Sequence, residues 1–153
     1  MGAYHIIGGR PLEGAVTIHG AKNSVLPILA ATLVCGGQYT INNCPEISDA
    51  ETALDILRAL GCTAEREGER VFVDTYAAEN RQIPEVLMKK MRAAIIFLGA
   101  LLARFGIARL SAPGGCVLGQ RPIDLHILGL RLMGADCEYD GELLQCRGNR
   151  LHG

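Results

Sequence analysis

The feature that most constrains this chain is an internal duplication. Leu57, Arg58, Gly61, Glu65 and Gly68 return as Leu130, Arg131, Gly134, Glu138 and Gly141, each displaced by 73 residues. Self-similarity at a fixed offset means that one folding unit is used twice. In the first copy, residues 24–34 form an apolar run of helical period, 38–42 a short strand, and 49–60 a helix stopped by Gly61. Residues 62–66 and 70–74 then make a hairpin around 67–69, where Gly68 supplies a positive φ. The second copy predicts a helix over 85–104, a strand over 107–112, a helix over 122–133 and strands near 135–139 and 143–147. Each unit is therefore αβαββ. Alternating helices and strands require a sheet with helices packed on it, an α/β arrangement (α+β in stricter schemes), and the hairpins exclude a purely parallel, doubly wound sheet. No linker or low-complexity segment interrupts the chain, and the pattern is still running at residue 153.

A chain of 153 residues with 49% hydrophobic positions can bury one substantial core, since a domain of this size removes about 70% of its unfolded surface from water. Fifteen Lys and Arg against sixteen Asp and Glu leave a formal charge of -1. That excludes a global basic field of the kind that holds nucleic acid or acidic membranes, so any anion site must be local. Three phenylalanines and no tryptophan give no platform for stacking bases. The first thirty residues lack a basic start, apolar core and small-residue cleavage site. The longest nearly apolar stretch, 93–103, falls far short of the roughly 20 residues of a membrane span. The expectation is a soluble, cytoplasmic protein with no membrane or nucleic-acid partner. The six cysteines, at 35, 44, 62, 116, 137 and 146, form no Cys-x-x-Cys pair. They are expected to be reduced, with all but Cys116 serving as small buried apolar residues.

The densest cluster of chemistry-bearing residues runs from Ser111 to Asp124, between a strand and a helix. Gly114, Gly115 and Gly119 let its backbone approach a ligand closely. Pro122 suits the first helical position and Asp124 the first turn, which sets Arg121 at the helix mouth. Backbone N–H groups beside a guanidinium make a phosphate or carboxylate site. Cys116 shares that loop, where a cation and a helix N-terminus favour its thiolate. From spacing alone, the favoured alternative is a tight turn with a packed cysteine and a solvated arginine.

A second cluster, Gly20-Ala21-Lys22-Asn23, opens the first helix. A lysine in a first turn faces the positive end of the helix dipole and becomes favourable only with a compensating anion; an exposed lysine that tolerates its position fits equally well. Arg92, beside Lys89 and Lys90, reads as a solvated edge. His126 has no second ligand at metal spacing, with His5, His19 and His152 scattered, so no metal and no cofactor is expected.

Taken together, Gly20-Ala21-Lys22-Asn23, Met91-Arg92-Ala93, Pro113-Gly114-Gly115-Cys116 and Gly119-Gln120-Arg121-Pro122-Ile123-Asp124-Leu125-His126 resemble the UDP-N-acetylglucosamine enolpyruvyl transferases in order and separation along the whole chain. The resemblance implies a two-domain inverse α/β barrel built from repeats of this unit, of which about two are present here. Residues 1–21 would belong to the other domain and be poorly anchored, and 22–153 would be an incomplete domain. The implied reaction moves the enolpyruvyl group of phosphoenolpyruvate to the 3'-hydroxyl of UDP-N-acetylglucosamine, with release of phosphate, as a step of peptidoglycan synthesis for the cell wall. By the same resemblance Cys116 would be the general acid and the fosfomycin target. Lys22, Asn23 and Arg121 would bind phosphoenolpyruvate. Asn23, Arg92, Arg121, Pro122, Ile123, Asp124 and Leu125 would line the nucleotide-sugar site.

Gln120 and Ile123 sit where the family varies, which leaves the chemistry intact. The family's aspartate base, a further arginine and a third repeat would lie past Gly153, so this length is expected to need the rest of its own chain for activity and to be a truncated product. The alternatives are the related transferase acting on shikimate 3-phosphate, against which a cysteine in the glycine loop speaks, and a non-catalytic binding module built of the same repeat.

Overall fold

The computed structural model describes residues 3–9, 11–111, 122–148 and 150–153. The first unit consists of α1 (Lys22–Ala31), β1 (Gln38–Ile41), α2 (Ser48–Ala59), β2 (Thr63–Glu67) and β3 (Arg70–Asp74). The second consists of α3 (Glu85–Lys90), a 3₁₀ turn (Arg92–Ile95), α4 (Ile96–Phe105), β4 (Ile107–Ser111), α5 (Asp124–Leu132), β5 (Asp136–Asp140) and β6 (Leu143–Arg147). Each unit folds its strands into a three-stranded antiparallel sheet with the last strand in the centre, in the orders β1-β3-β2 and β4-β6-β5.

The duplication extends to individual hydrogen bonds. Arg58 Nε donates to the Ala64 carbonyl at 2.9 Å, and Arg131 donates to the Cys137 carbonyl at 2.6 Å. After each helix the chain turns through a left-handed glycine, Gly61 at φ 89° and Gly134 at φ 95°. The amides of Cys62 and Ala135 then return to the carbonyls of Leu57 and Leu130, the closure expected where a glycine takes the left-handed position after a helix. Gly68 and Gly141, at φ 57° and 60°, turn the two hairpins. The offset is 73 residues throughout this stretch, but Gln38 pairs with Asp74 whereas Ile107 pairs with Arg147. The second unit therefore carries four more residues than the first between its first strand and its last.

The helices supply most of the core. α1 buries Val25, Leu26, Leu29 and Ala30, and α2 buries Ala50, Thr52, Ala53, Leu54, Ile56 and Leu57. α1 packs on α2 and α4, which joins the two units. Arg104, from α4, strengthens that joint by donating to the Leu33 carbonyl at 3.0 Å and the Thr75 carbonyl at 2.8 Å. Thr75 is fully buried; its hydroxyl lies 3.0 Å from the Thr32 carbonyl and accepts the Gly37 amide at 3.2 Å. A buried hydroxyl so paired avoids the cost of an unmet polar group.

The structure corrects three expectations. The helix over 85–104 is broken at Met91, which adopts φ -131° and ψ 112° and buries its side chain in the core. The apolar period runs through this point without glycine or proline. The break falls where the helix partner changes: α3 lies against α2 and β4, while α4 lies against α1 and β4. Secondly, the helix expected over 122–133 begins at Asp124, with Ile123 in the capping position at φ -107°. Pro122 thus lies outside the helix instead of at its first position. Thirdly, Cys35 is exposed, unlike Cys44, Cys62, Cys137 and Cys146, which are buried and free. It follows the end of α1, where the chain leaves the core for β1.

Candidate active site

Lys22 is the first residue of α1 and Asn23 the second, both exposed. The N-cap residue of α1, Ala21, makes no side-chain cap, and the first turn carries no acidic residue. Its positive end is therefore not neutralised from within the helix. The counter-charge comes from α2: Asp49 Oδ2 lies 3.0 Å from Lys22 Nζ. Asp49 sits in the first turn of α2, where the helix dipole favours a carboxylate.

The chain enters α1 through a tight contact. The Gly20 amide donates to Asn43 Oδ1 at 3.1 Å, and a Cβ at Gly20 would fall 1.9 Å from the Asn43 carbonyl oxygen. Only glycine fits there without moving the backbone. Asn43 holds a left-handed φ of 54°, which asparagine tolerates better than other residues with a Cβ. The turn it occupies is tied to the β2–β3 hairpin by the Cys44 amide, which donates to the Glu69 carbonyl at 2.8 Å. Arg66 holds the same turn from below, with its guanidinium 3.2 Å from the Cys44 carbonyl and 2.5 Å from Glu51. The mouth of α1 is thus built on rigid elements of the first unit.

The other expected site residues lie in the second unit. Arg92 is half-buried and begins the 3₁₀ turn that follows the break at Met91. Ile123 is half-buried and packs on the core, while Pro122, Asp124, Leu125 and His126 are exposed. Cys116 and Arg121 lie outside the described residues. The structure thus groups Lys22 with Asn23 at the start of α1, and Ile123 with Asp124 and Leu125 at the start of α5. It adds Asn43 and Asp49 to the first group. In the sequence Asp49 is indistinguishable from any acidic residue opening a helix, and only the packing of α1 on α2 shows its partner.

Among the described residues no group of three or more His, Cys, Asp or Glu is placed to hold a metal ion, and no helix is long and apolar enough to cross a membrane. Two of the buried thiols, Cys62 and Cys146, are held in their neutral form. Burial pushes Cys62 up to about 11 against the favourable charge of Arg104, and pushes Cys146, which also meets Cys137, up to about 12.

Comparison with known proteins agrees with this architecture. The chain is 44% identical over its whole length to UDP-N-acetylglucosamine 1-carboxyvinyltransferase 2 of Caldanaerobacter subterraneus subsp. tengcongensis, and spans 37% of that protein. It is 47% identical, over 97% of its length, to UDP-N-acetylglucosamine 1-carboxyvinyltransferase of Dichelobacter nodosus, and spans 36% of it. Among solved structures, the enolpyruvyl transferase NikO from Streptomyces tendae superposes with a TM-score of 0.78 at 28% identity, over 94% of this chain and 32% of that one. EPSP synthase from Acinetobacter baumannii shares the fold, with a TM-score of 0.67 at 20% identity over 92% of this chain and 33% of that one. The chain spans little more than a third of the curated relatives it matches. The family model described as EPSP synthase (3-phosphoshikimate 1-carboxyvinyltransferase) matches residues 6–150, and the chain belongs to that family.

Proposed function

We propose that this chain is the part of a UDP-N-acetylglucosamine enolpyruvyl transferase that supplies the loop cysteine and one wall of the substrate site. The observation that carries the proposal is the identity of 44–47%, over nearly all of the chain, to relatives named for that activity. The α1 mouth adds physical support, because a helix start bearing a lysine, with no acidic residue in its first turn, suits an anionic substrate such as phosphoenolpyruvate.

In the proposed reaction the sugar 3'-hydroxyl oxygen adds to C2 of phosphoenolpyruvate, its proton passing to a carboxylate base of the full-length protein, while C3 takes a proton, giving a tetrahedral adduct. Loss of a proton from C3 and of phosphate from C2 then leaves the enol ether. Lys22 and Arg121 hold the phosphate and carboxylate and stabilise the charge that builds in the adduct. Asn23 orients the sugar, and Arg92 with residues 121–125 lines the nucleotide-sugar site. Cys116 delivers the proton to C3, a task that suits a thiol whose two protonation states lie close in energy near neutral pH. The reaction needs neither metal nor cofactor. It would serve peptidoglycan synthesis in the cytoplasm, and hence cell shape and division.

The activity belongs to a protein of the relatives' length. Residues 1–21 are assigned to a second domain and 22–153 to an incomplete first one. In support, Tyr4, Ile6, Ile7, Leu12, Val16 and Ile18 are 85–99% exposed, and the described residues before α1 form no helix or strand. Apolar side chains spaced in this way normally cover a sheet.

The test is intact-mass spectrometry of the full-length protein after incubation with UDP-N-acetylglucosamine and fosfomycin. A single adduct that maps to Cys116 and is absent from Cys116→Ala is expected. An unmodified protein under the same conditions would overturn the role of Cys116.

A further inference from the structure

We infer that Asp49 is a positioning residue for the enolpyruvyl donor: its carboxylate, on the first turn of α2, orders the Lys22 ammonium at the start of α1. The inference rests on the reading of Lys22 as a phosphoenolpyruvate ligand, and adds to it a residue that touches neither substrate.

The geometry has a rigid half and a flexible half. Asp49 is short and lies in a well-fixed turn. Its neighbour Ala50 is fully buried, the Thr52 hydroxyl donates to the Ser48 carbonyl at 2.9 Å, and the Glu51 amide returns to the Ile47 carbonyl at 3.2 Å. Lys22 is a long, flexible side chain, 56% exposed, at a helix end whose dipole repels a cation. Left alone it would sample many rotamers, and binding an anion would have to freeze them. The carboxylate 3.0 Å away fixes the ammonium before the substrate arrives, which removes part of that ordering cost. An ammonium has three donors, so one contact with Asp49 leaves two for a phosphate or carboxylate.

The pair is of little use to the fold, because an ion pair this exposed to water contributes little to stability. Position and stability can therefore be separated by experiment. Steady-state kinetics of phosphate release would be measured on the full-length protein and on Asp49→Asn, Asp49→Glu, Lys22→Ala and the double variant Lys22→Ala with Asp49→Asn.

Asp49→Asn is expected to raise the KM for phosphoenolpyruvate about tenfold, as for the weakening of one charge-assisted contact. The KM for UDP-N-acetylglucosamine and the melting temperature should stay unchanged. Asp49→Glu should recover most of the loss, and in the Lys22→Ala background Asp49→Asn should have no further effect. An unchanged or lowered KM for phosphoenolpyruvate in Asp49→Asn would overturn the inference, as would an equal loss for both substrates with a lower melting temperature. If Lys22→Ala itself left the KM for phosphoenolpyruvate unchanged, the assignment of Lys22 would fail and the inference would fall with it. That result is distinct from an inert Asp49 beside a functional Lys22.

Discussion

α2 and α5 are the same helix of the repeated unit, yet they lie in different surroundings. α2 buries six side chains, packed between α1, α3 and the sheet; among the described residues of α5 only Ile127 is buried, with the helix resting on β5. Their own contacts to the strands are equivalent, down to the paired arginines Arg58 and Arg131. What differs is the cover. Thr52, Asp55 and Ala59 of α2 become Leu125, Leu128 and Leu132 in α5, and these leucines are 74%, 52% and 77% exposed. The local fold of the unit is set by its glycines and its hairpin. The depth of its burial is set by what packs on it.

This contrast can be tested with matched substitutions in the two units. The largest expected difference is between Leu57→Ala and Leu130→Ala. Leu57 is fully buried, and truncating it should destabilise the chain by about 2–5 kcal/mol; half-buried Leu130 should cost about 1 kcal/mol. Urea unfolding of both variants would measure this, and equal losses would show that α5 is as well covered as α2.

A smaller difference is expected at the helix-ending glycines. A Cβ at Gly61 would meet the Ala77 carbonyl oxygen at 2.9 Å, whereas at Gly134 the first contact is the movable His152 side chain at 3.3 Å. Both glycines have positive φ, so each Gly→Ala change carries backbone strain of about 1 kcal/mol, to which Gly61 should add roughly 1–2 kcal/mol for the clash. Thermal melts would rank the two, and a Gly134→Ala as damaging as Gly61→Ala would contradict the geometry.

One further effect is shared by the two units and does not separate them. Cys62 and Cys146 have thiols whose folded values are raised, to about 11 and about 12, from an ordinary 9.0. The folded state therefore keeps its protons where the unfolded chain loses them. The stabilisation is complete below about pH 9 and is lost as pH rises from 9 toward 11 or 12. Stability measured across that range should fall, and Cys62→Ala should reduce the slope without abolishing it. A flat profile would mean that the thiols ionise as readily in the folded protein as in the unfolded chain.

Much of the unit was legible in the sequence because local chemistry fixes it. Gly61, Gly68, Gly134 and Gly141 take the left-handed conformations their positions predict, and the hairpin strands fall within a residue of expectation. The break at Met91 was not legible: an unbroken apolar period reports which side chains are buried, not where the helix partner changes. Lys22 and Asn23 were visible as a polar start to an apolar helix, but the pairing of Asp49 with Lys22 was not, because it depends on a contact between residues 27 apart in sequence. The exposure of Cys35 was missed for a related reason, since composition ranks cysteine as buried and only the path of the chain beyond α1 places this one outside.

The most direct test of the central claim is the choice of acceptor. Phosphate release from phosphoenolpyruvate by the full-length protein would be followed with UDP-N-acetylglucosamine and, separately, with shikimate 3-phosphate. Release with the nucleotide sugar is expected, at a raised KM for phosphoenolpyruvate in Lys22→Ala, with no turnover of shikimate 3-phosphate. Turnover of shikimate 3-phosphate without turnover of the nucleotide sugar would contradict it.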